Sequence, residues 1–131
     1  MGTPVEGVSR VAGSVDSLVG MRVDPNGRQE FSSSLNYETV AASQTDQVLG
    51  VTGAIGDEIE GVLVVPATTS PGIAQIKDGN GTAITIFTGG ASSVGSLIPF
   101  YIPLCMKSTA GAWKVTTGAN VSAIATGRFT T

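Results

Sequence analysis

Apolar and polar positions alternate with a period of two through much of this chain, and the alternation is broken at short intervals by Gly, Pro, Asn, Asp and Ser. The clearest instance runs from Gly72 to Phe87: Gly-Ile-Ala-Gln-Ile-Lys, then Asp-Gly-Asn-Gly, then Thr-Ala-Ile-Thr-Ile-Phe. Two β-branched runs flanking four turn formers predict a β-hairpin. Asp78, Gly79, Asn80 and Gly81 all tolerate the positive φ that a tight turn requires. In the second arm Ala83, Thr85 and Phe87 share one face, and Thr82, Ile84 and Ile86 the other. The isoleucine face asks for burial.

Other strands follow the same logic. Tyr37-Glu-Thr-Val-Ala-Ala and Gln47-Val-Leu-Gly-Val-Thr are candidates. In Asp57-Glu-Ile-Glu-Gly-Val-Leu-Val-Val-Pro, the alternation puts Ile59, Gly61, Leu63 and Val65 on one face, and Pro66 ends the run. Leu97-Ile-Pro-Phe-Tyr-Ile-Pro-Leu is the most apolar stretch; Pro99 and Pro103 cannot donate to a ladder, so it belongs at a sheet edge or a bulge. Ala112-Trp-Lys-Val-Thr-Thr, the turn Gly118-Ala-Asn and Val121-Ser-Ala-Ile-Ala-Thr make a last hairpin. Strand-length runs every 10 to 15 residues or so predict an all-β fold, an antiparallel β-sandwich or jelly roll. The alternation nominates as core Ile59, Leu63, Val65, Ile76, Ile84, Ile86, Phe100, Ile102, Trp113, Val115, Val121 and Ile124.

Residues 1–36 read differently. Val5, Val8, Val11, Val15, Leu18 and Val19 are spaced at threes and fours, yet Gly7, Gly13 and Gly20 and the many valines disfavour a helix. An extended N-terminal arm is expected there, followed by a β-sandwich body over 37–131. Within the arm, Leu18-Val-Gly-Met-Arg-Val, the turn Asp24-Pro-Asn-Gly and Arg28-Gln-Glu-Phe suggest a strand that turns and returns.

Composition narrows the chemistry. Charged residues are 13% of the 131, about half the usual share, while Gly alone numbers 18. A neutral, hydroxyl-rich surface loses little desolvation energy against a partner, which suits assembly. The net charge of −3 is uneven: residues 1–60 hold nine acids against three arginines, and residues 61–131 one acid against four bases. No basic cluster appears, so nucleic acid is not expected as a partner. The absence of His removes the commonest general base and zinc ligand. Cys105, alone in an apolar run, is expected as a small buried hydrophobe. No membrane span and no secretory signal are read, and no cofactor or metal is called for.

Three weak signals remain. Asp78-Gly-Asn-Gly and Asp24-Pro-Asn-Gly resemble calcium-loop fragments, but both are good turns without a metal. Asp57, Glu58 and Glu60 offer three close carboxylates, a weak cation site or a glycosidase acid, with Glu58 and Glu60 on one face of a strand. Trp113 is either core or an exposed stacking platform.

From about Gln47 onward the hairpin Ile-Lys-Asp-Gly-Asn-Gly-Thr-Ala-Ile-Thr-Ile-Phe, then Pro-Phe-Tyr-Ile-Pro-Leu, then Gly-Ala-Trp-Lys-Val-Thr-Thr-Gly resembles small virion proteins of tailed bacteriophages, in particular capsid decoration (cement) proteins. The resemblance implies a β-rich module on the capsid surface, made in the host cytoplasm. Its partner would be the major capsid protein, it would be a homo-oligomer (trimer or dimer), and it would reinforce contacts between capsid subunits. It would not be an enzyme, and the arm is the natural shell contact. Candidate interface residues are Leu18, Met21 and Phe31 of the arm and Tyr101 and Trp113 of the body. The alternative is a carbohydrate- or receptor-binding β-sandwich of a fibre or adhesin, with Trp113 and Tyr101 as stacking surfaces. A glycosidase using Asp57, Glu58 and Glu60 comes third.

Overall fold

The computed structural model describes Arg22–Val23, Asn26, Gln29–Glu30 and residues 35–131. The chain divides into two units, residues 1–33 and 34–131. In the first, β1 (Arg22–Val23) runs antiparallel to β2 (Gln29–Glu30), Arg22 opposite Glu30 and Val23 opposite Gln29. This is the return expected around Asp24-Pro-Asn-Gly, with Asn26 in its turn. Most of the arm expected over 1–36, with its candidate contacts Leu18, Met21 and Phe31, lies outside the described residues. Asn36 itself already belongs to a strand of the second unit.

That unit is all β, with no helix among the described residues. Its strands are β3 (Asn36–Val40), β4 (Gln47–Val48), β5 (Glu58–Pro66), β6 (Ala74–Asp78), β7 (Ile84–Phe87), β8 (Phe100–Lys107), β9 (Trp113–Thr117) and β10 (Val121–Arg128). The pairing is nested. β6 pairs with β7, β5 with β8, β4 with β9 and β3 with β10, all antiparallel. The second unit is thus one antiparallel ribbon folded back at the 72–87 hairpin, whose turn is opened by Gly79 at φ +57° and closed by Gly81 N–H on the Asp78 carbonyl at 2.8 Å. Two more ladders, β5 with β10 and β6 with β9, gather the ribbon into two four-stranded sheets, β3-β10-β5-β8 and β4-β9-β6-β7.

The two sheets enclose a core of Val40, Leu49, Ile59, Val62, Val64, Ile76, Trp113, Val115, Val121, Ala123, Ala125 and Phe129. Each fully buried aliphatic side chain in it contributes about 1.5–3 kcal/mol. Trp113 is 2% exposed and its indole N–H donates to the Asp57 carbonyl at 3.0 Å, so it is core and not a surface platform or an interface residue.

Five of the expected core positions are fully inside: Ile59, Ile76, Trp113, Val115 and Val121. Ile86, Phe100 and Ile102 are half-buried against them. Leu63, Val65 and Ile124 are not; their neighbours Val62, Val64, Ala123 and Ala125 are. The cause on β5 is a register slip at Glu60. Between Ile59 and Gly61 the partner strand β8 advances from Met106 to Pro103, and on β10 the consecutive residues Gly127 and Thr126 face Ile59 and Gly61. The bulge inverts the alternation beyond it, so a strand that begins with Ile59 inward continues with Val62 inward. Ile84 differs for another reason. It sits opposite Ile76, but β7 is an edge strand and leaves it 44% exposed. Cys105, expected buried, is exposed on the outer side of β8 at φ +52°, within the same bulge.

Candidate docking face

The inversion at Glu60 has a consequence on the far side of the sheet. Val62-Leu63-Val64-Val65 is apolar without interruption, as a strand buried on both faces would be. Val62 and Val64 enter the core, leaving Leu63 and Val65 to face outward. Through the ladders Leu63 lies beside Ile124 of β10 and Tyr101 of β8, and Ile124 beside Thr39 of β3. The next row carries Tyr37, Thr126, Gly61 and Pro103. The outer face of the β3-β10-β5-β8 sheet is therefore an apolar and aromatic field with hydroxyls among it. Tyr37 is 67% exposed and Tyr101 48%.

Tyr101 lies flat across this face because Gly61 has no side chain. A Cβ on Gly61 would sit 2.3 Å from the Tyr101 Cζ and Oη and 2.6 Å from the Ile102 carbonyl oxygen. The Tyr101 hydroxyl reaches over β5 to the Thr126 Oγ1 on β10, 3.1 Å away. The ring thus covers the glycine of the bulge and is held at both ends.

Charges collect at one end of the face. Arg128 pairs with Glu58 and stands 3.8 Å from Glu60. Beside them a cavity of 170 Å³ is lined by Glu58, Ile59, Glu60, Cys105, Met106 and Lys107. The Cys105 Sγ is 3.6 Å from Glu60 Oε1. The Glu60 charge first, then desolvation and this hydrogen bond, push the Cys105 thiol above its ordinary pKa. It therefore stays protonated near neutrality and is a poor nucleophile.

The three carboxylates weighed together in the sequence do not meet. Asp57 is buried, and its oxygens accept from the Thr130 backbone N–H at 2.9 Å and the Thr130 hydroxyl at 2.6 Å, which ties the C-terminal residues to the β5 entrance. Glu58 and Glu60 share the outer face, as the alternation predicts. The Asp78 turn also uses its own oxygens. Its carboxylate accepts from the Thr109 backbone N–H and hydroxyl and the Ala110 backbone N–H, each at 2.9 Å, and the Asn80 Oδ1 accepts from Lys114 Nζ at 2.9 Å. Desolvation pushes the Asp78 carboxyl up, but the donors of Ala110, Thr109 and Gly111 outweigh it and leave the pKa below the ordinary value.

The outer face of the β4-β9-β6-β7 sheet is built of other material: Gln75, Lys77, Thr85, Lys114 and Thr116, with Val48 at the margin. Lys77 lies directly opposite Lys114, an unfavourable pair. Each ammonium has its own acceptor: Lys77 Nζ is 2.8 Å from Asp46 Oδ2, and Lys114 Nζ bonds Asn80. The hydrogen bond from Lys77 leads the causes that hold the Asp46 carboxyl below its usual pKa. Gln75 Nε2 donates to Thr85 Oγ1 at 3.0 Å. This face satisfies itself.

Of the candidate interface residues, then, Tyr101 is on the apolar face, Trp113 is in the core, and Leu18, Met21 and Phe31 are outside the described residues. Tyr37, Leu63, Val65 and Ile124 were not singled out as interface positions by sequence reasoning. The signal that finds them is the uninterrupted Val62–Val65 run, which has one apolar residue too many per turn of the pleat for a sheet with a solvated side. In comparisons with known proteins, no family model matches the chain, and no curated protein and no solved structure matches it at the significance required of a match.

Proposed function

We propose that this protein is a virion structural component that binds the outside of a phage capsid and reinforces contacts between major capsid subunits. The observation that carries the reading is the contrast between the sandwich's two outer faces. One is a self-satisfied polar surface and the other an apolar, tyrosine-bearing field ringed by charge at one end, the anatomy of an interface core with its rim. Tyrosine is favoured at such sites because it offers large, rigid contact area and a polar tip.

The body is read as a jelly roll. Its nested pairing supports this: a ribbon of β3–β6 against β7–β10, rolled so that its first, eighth, third and sixth strands form one sheet and its second, seventh, fourth and fifth the other. Capsid and lectin domains both use that architecture, so the fold alone does not choose between decoration and the alternative of a carbohydrate-binding fibre module. The burial of Trp113 takes away one of the two stacking surfaces on which the alternative depends.

Co-sedimentation tests the proposal. The full chain, mixed with undecorated shells assembled from tailed-phage major capsid proteins, is expected to pellet with them at a fixed, saturable ratio. Failure to pellet with shells, together with retention on immobilised glycans that Tyr101→Ala abolishes, would transfer the assignment to the alternative.

A further inference from the structure

The sandwich is not closed equally at its two sides. On the side of β3 and β4, Gln47 Nε2 bridges the sheets by donating to the Thr39 carbonyl at 2.9 Å. On the opposite side, β7 and β8 meet through the Phe87 and Phe100 rings, 5.2 Å apart. There the inward side chains of β8 (Phe100, Ile102, Leu104 and Met106) stay half-buried, and Ile84 of β7 is 44% exposed.

The two strands of this open side are protected to different degrees. β8 carries Pro103 and the left-handed Cys105, devices that discourage edge pairing. The segment Thr82-Ala-Ile-Thr-Ile-Phe-Thr, which contains β7, has no proline and no charge; it alternates regularly from Ile84 to Ile86, where one extra residue against β6 turns Phe87 to the core side as well. Such an uncharged, β-branched edge is a template for another strand. Its sequence is also complementary to itself when reversed about Thr85. Ile84 then faces the Ile86 of a second copy on the core side, and the two Thr85 side chains meet on the outer side, a favourable cross-strand pair.

We propose that β7 pairs antiparallel with the β7 of a second copy of this chain, about a twofold axis through Thr85, to give a dimer with one continuous eight-stranded sheet. The pairing is isologous and closed. A foreign strand added to β7 would extend one sheet only; a second copy also brings its own half-buried β8 row against the first, covering the side chains that the open seam exposes. Because the axis stands perpendicular to the sheets, the apolar outer faces of the two copies point the same way. On the reading proposed above, a shell would be met by two docking faces at once, and avidity would multiply a weak single contact.

Charge at the axis tests this in the full chain. Thr85 is exposed on the outer side, so Thr85→Lys and Thr85→Glu leave each fold intact. Sedimentation velocity over a dilution series is expected to show the wild-type dimer at twice the 13.2 kDa chain mass. Each variant alone is expected to dimerise about tenfold more weakly, about 1.4 kcal/mol, and an equimolar mixture to recover the lost affinity. A monomer or a trimer for the wild type would overturn the inference, as would variants that dimerise like the wild type or a mixture that gains nothing. A dimer that binds no shell refutes the decoration reading and leaves this one standing; a monomer that binds shells does the reverse.

Discussion

The two outer faces of this sandwich belong to sheets of four antiparallel strands each, yet one is finished and the other is not. On the β4-β9-β6-β7 side the opposed pair Lys77 and Lys114 is drawn apart to two different oxygens, Asp46 Oδ2 and Asn80 Oδ1. On the β3-β10-β5-β8 side Leu63, Val65, Ile124, Tyr37 and Tyr101 present carbon and aromatic edge to the outside. The difference lies in the strand sequences: β6 and β9 alternate strictly, while β5 is apolar on both its sides. An antiparallel strand with two apolar faces in a two-layer fold has room for one core and one partner.

The largest effect expected from breaking this contrast is on binding. Leu63→Lys combined with Ile124→Lys should lower affinity for capsid shells by about a hundredfold, some 2.7 kcal/mol, as loss of a central apolar contact does. Lys77→Gln and Lys114→Gln on the other face should change it less than about twofold. Equal sensitivity of both faces in a pull-down titration would erase the distinction.

Next in size is the support beneath the tyrosine. Gly61→Ala forces a Cβ against the Tyr101 ring and the Ile102 carbonyl oxygen, and should destabilise the fold by about 1–3 kcal/mol in urea unfolding. Adding Tyr101→Ala should recover only part of that, since the carbonyl remains. Full recovery would mean that the ring alone demands the glycine.

A smaller effect separates the faces by pH. The Asp46 and Asp78 carboxyls titrate below their ordinary value in the folded chain. Their contribution to stability is therefore complete above the ordinary carboxylate pKa and is lost as pH falls through the depressed one. Unfolding midpoints of the wild type should drop in that acid window. Those of Asp78→Asn should start lower and drop less, while Leu63→Lys should leave the slope of the wild type unchanged.

Smallest is the behaviour of Cys105. Though exposed, its thiol is held protonated chiefly by Glu60, so alkylation near neutral pH should be slower than in the unfolded chain, and Glu60→Gln should speed it. A rate indifferent to Glu60 would remove the carboxylate from the account.

Much of this architecture could be read from residues. Asp78-Gly-Asn-Gly identifies the hairpin that proves to be the fold of the ribbon, and Pro99 and Pro103 point to a sheet edge or a bulge; β8 has both. A lone tryptophan between Ala112 and Val115 satisfies core and surface alike; the Asp57 carbonyl that receives the Trp113 N–H decides for the core. The apolar face stayed hidden behind a one-residue slip. A period-two reading started at Ile59 assigns Leu63 and Val65 to the core, and only the pairing of Ile59 and Gly61 with Met106 and Pro103 reveals that the phase inverts between them. Gly61 beside the consecutive apolar run was the available clue, since glycine inside a strand often marks a bulge. Ile84 was misplaced by a different limit: alternation gives the side of the sheet but not the strand's position at its edge.

Footprinting with and without shells asks both faces the same question in one sample. Hydroxyl radicals should oxidise Tyr37 and Tyr101 in the free chain and spare both once the chain is bound, while acetylation of Lys77 and Lys114 stays the same in the two states. Lysines that become protected while the tyrosines remain reactive would contradict the assignment of the docking face.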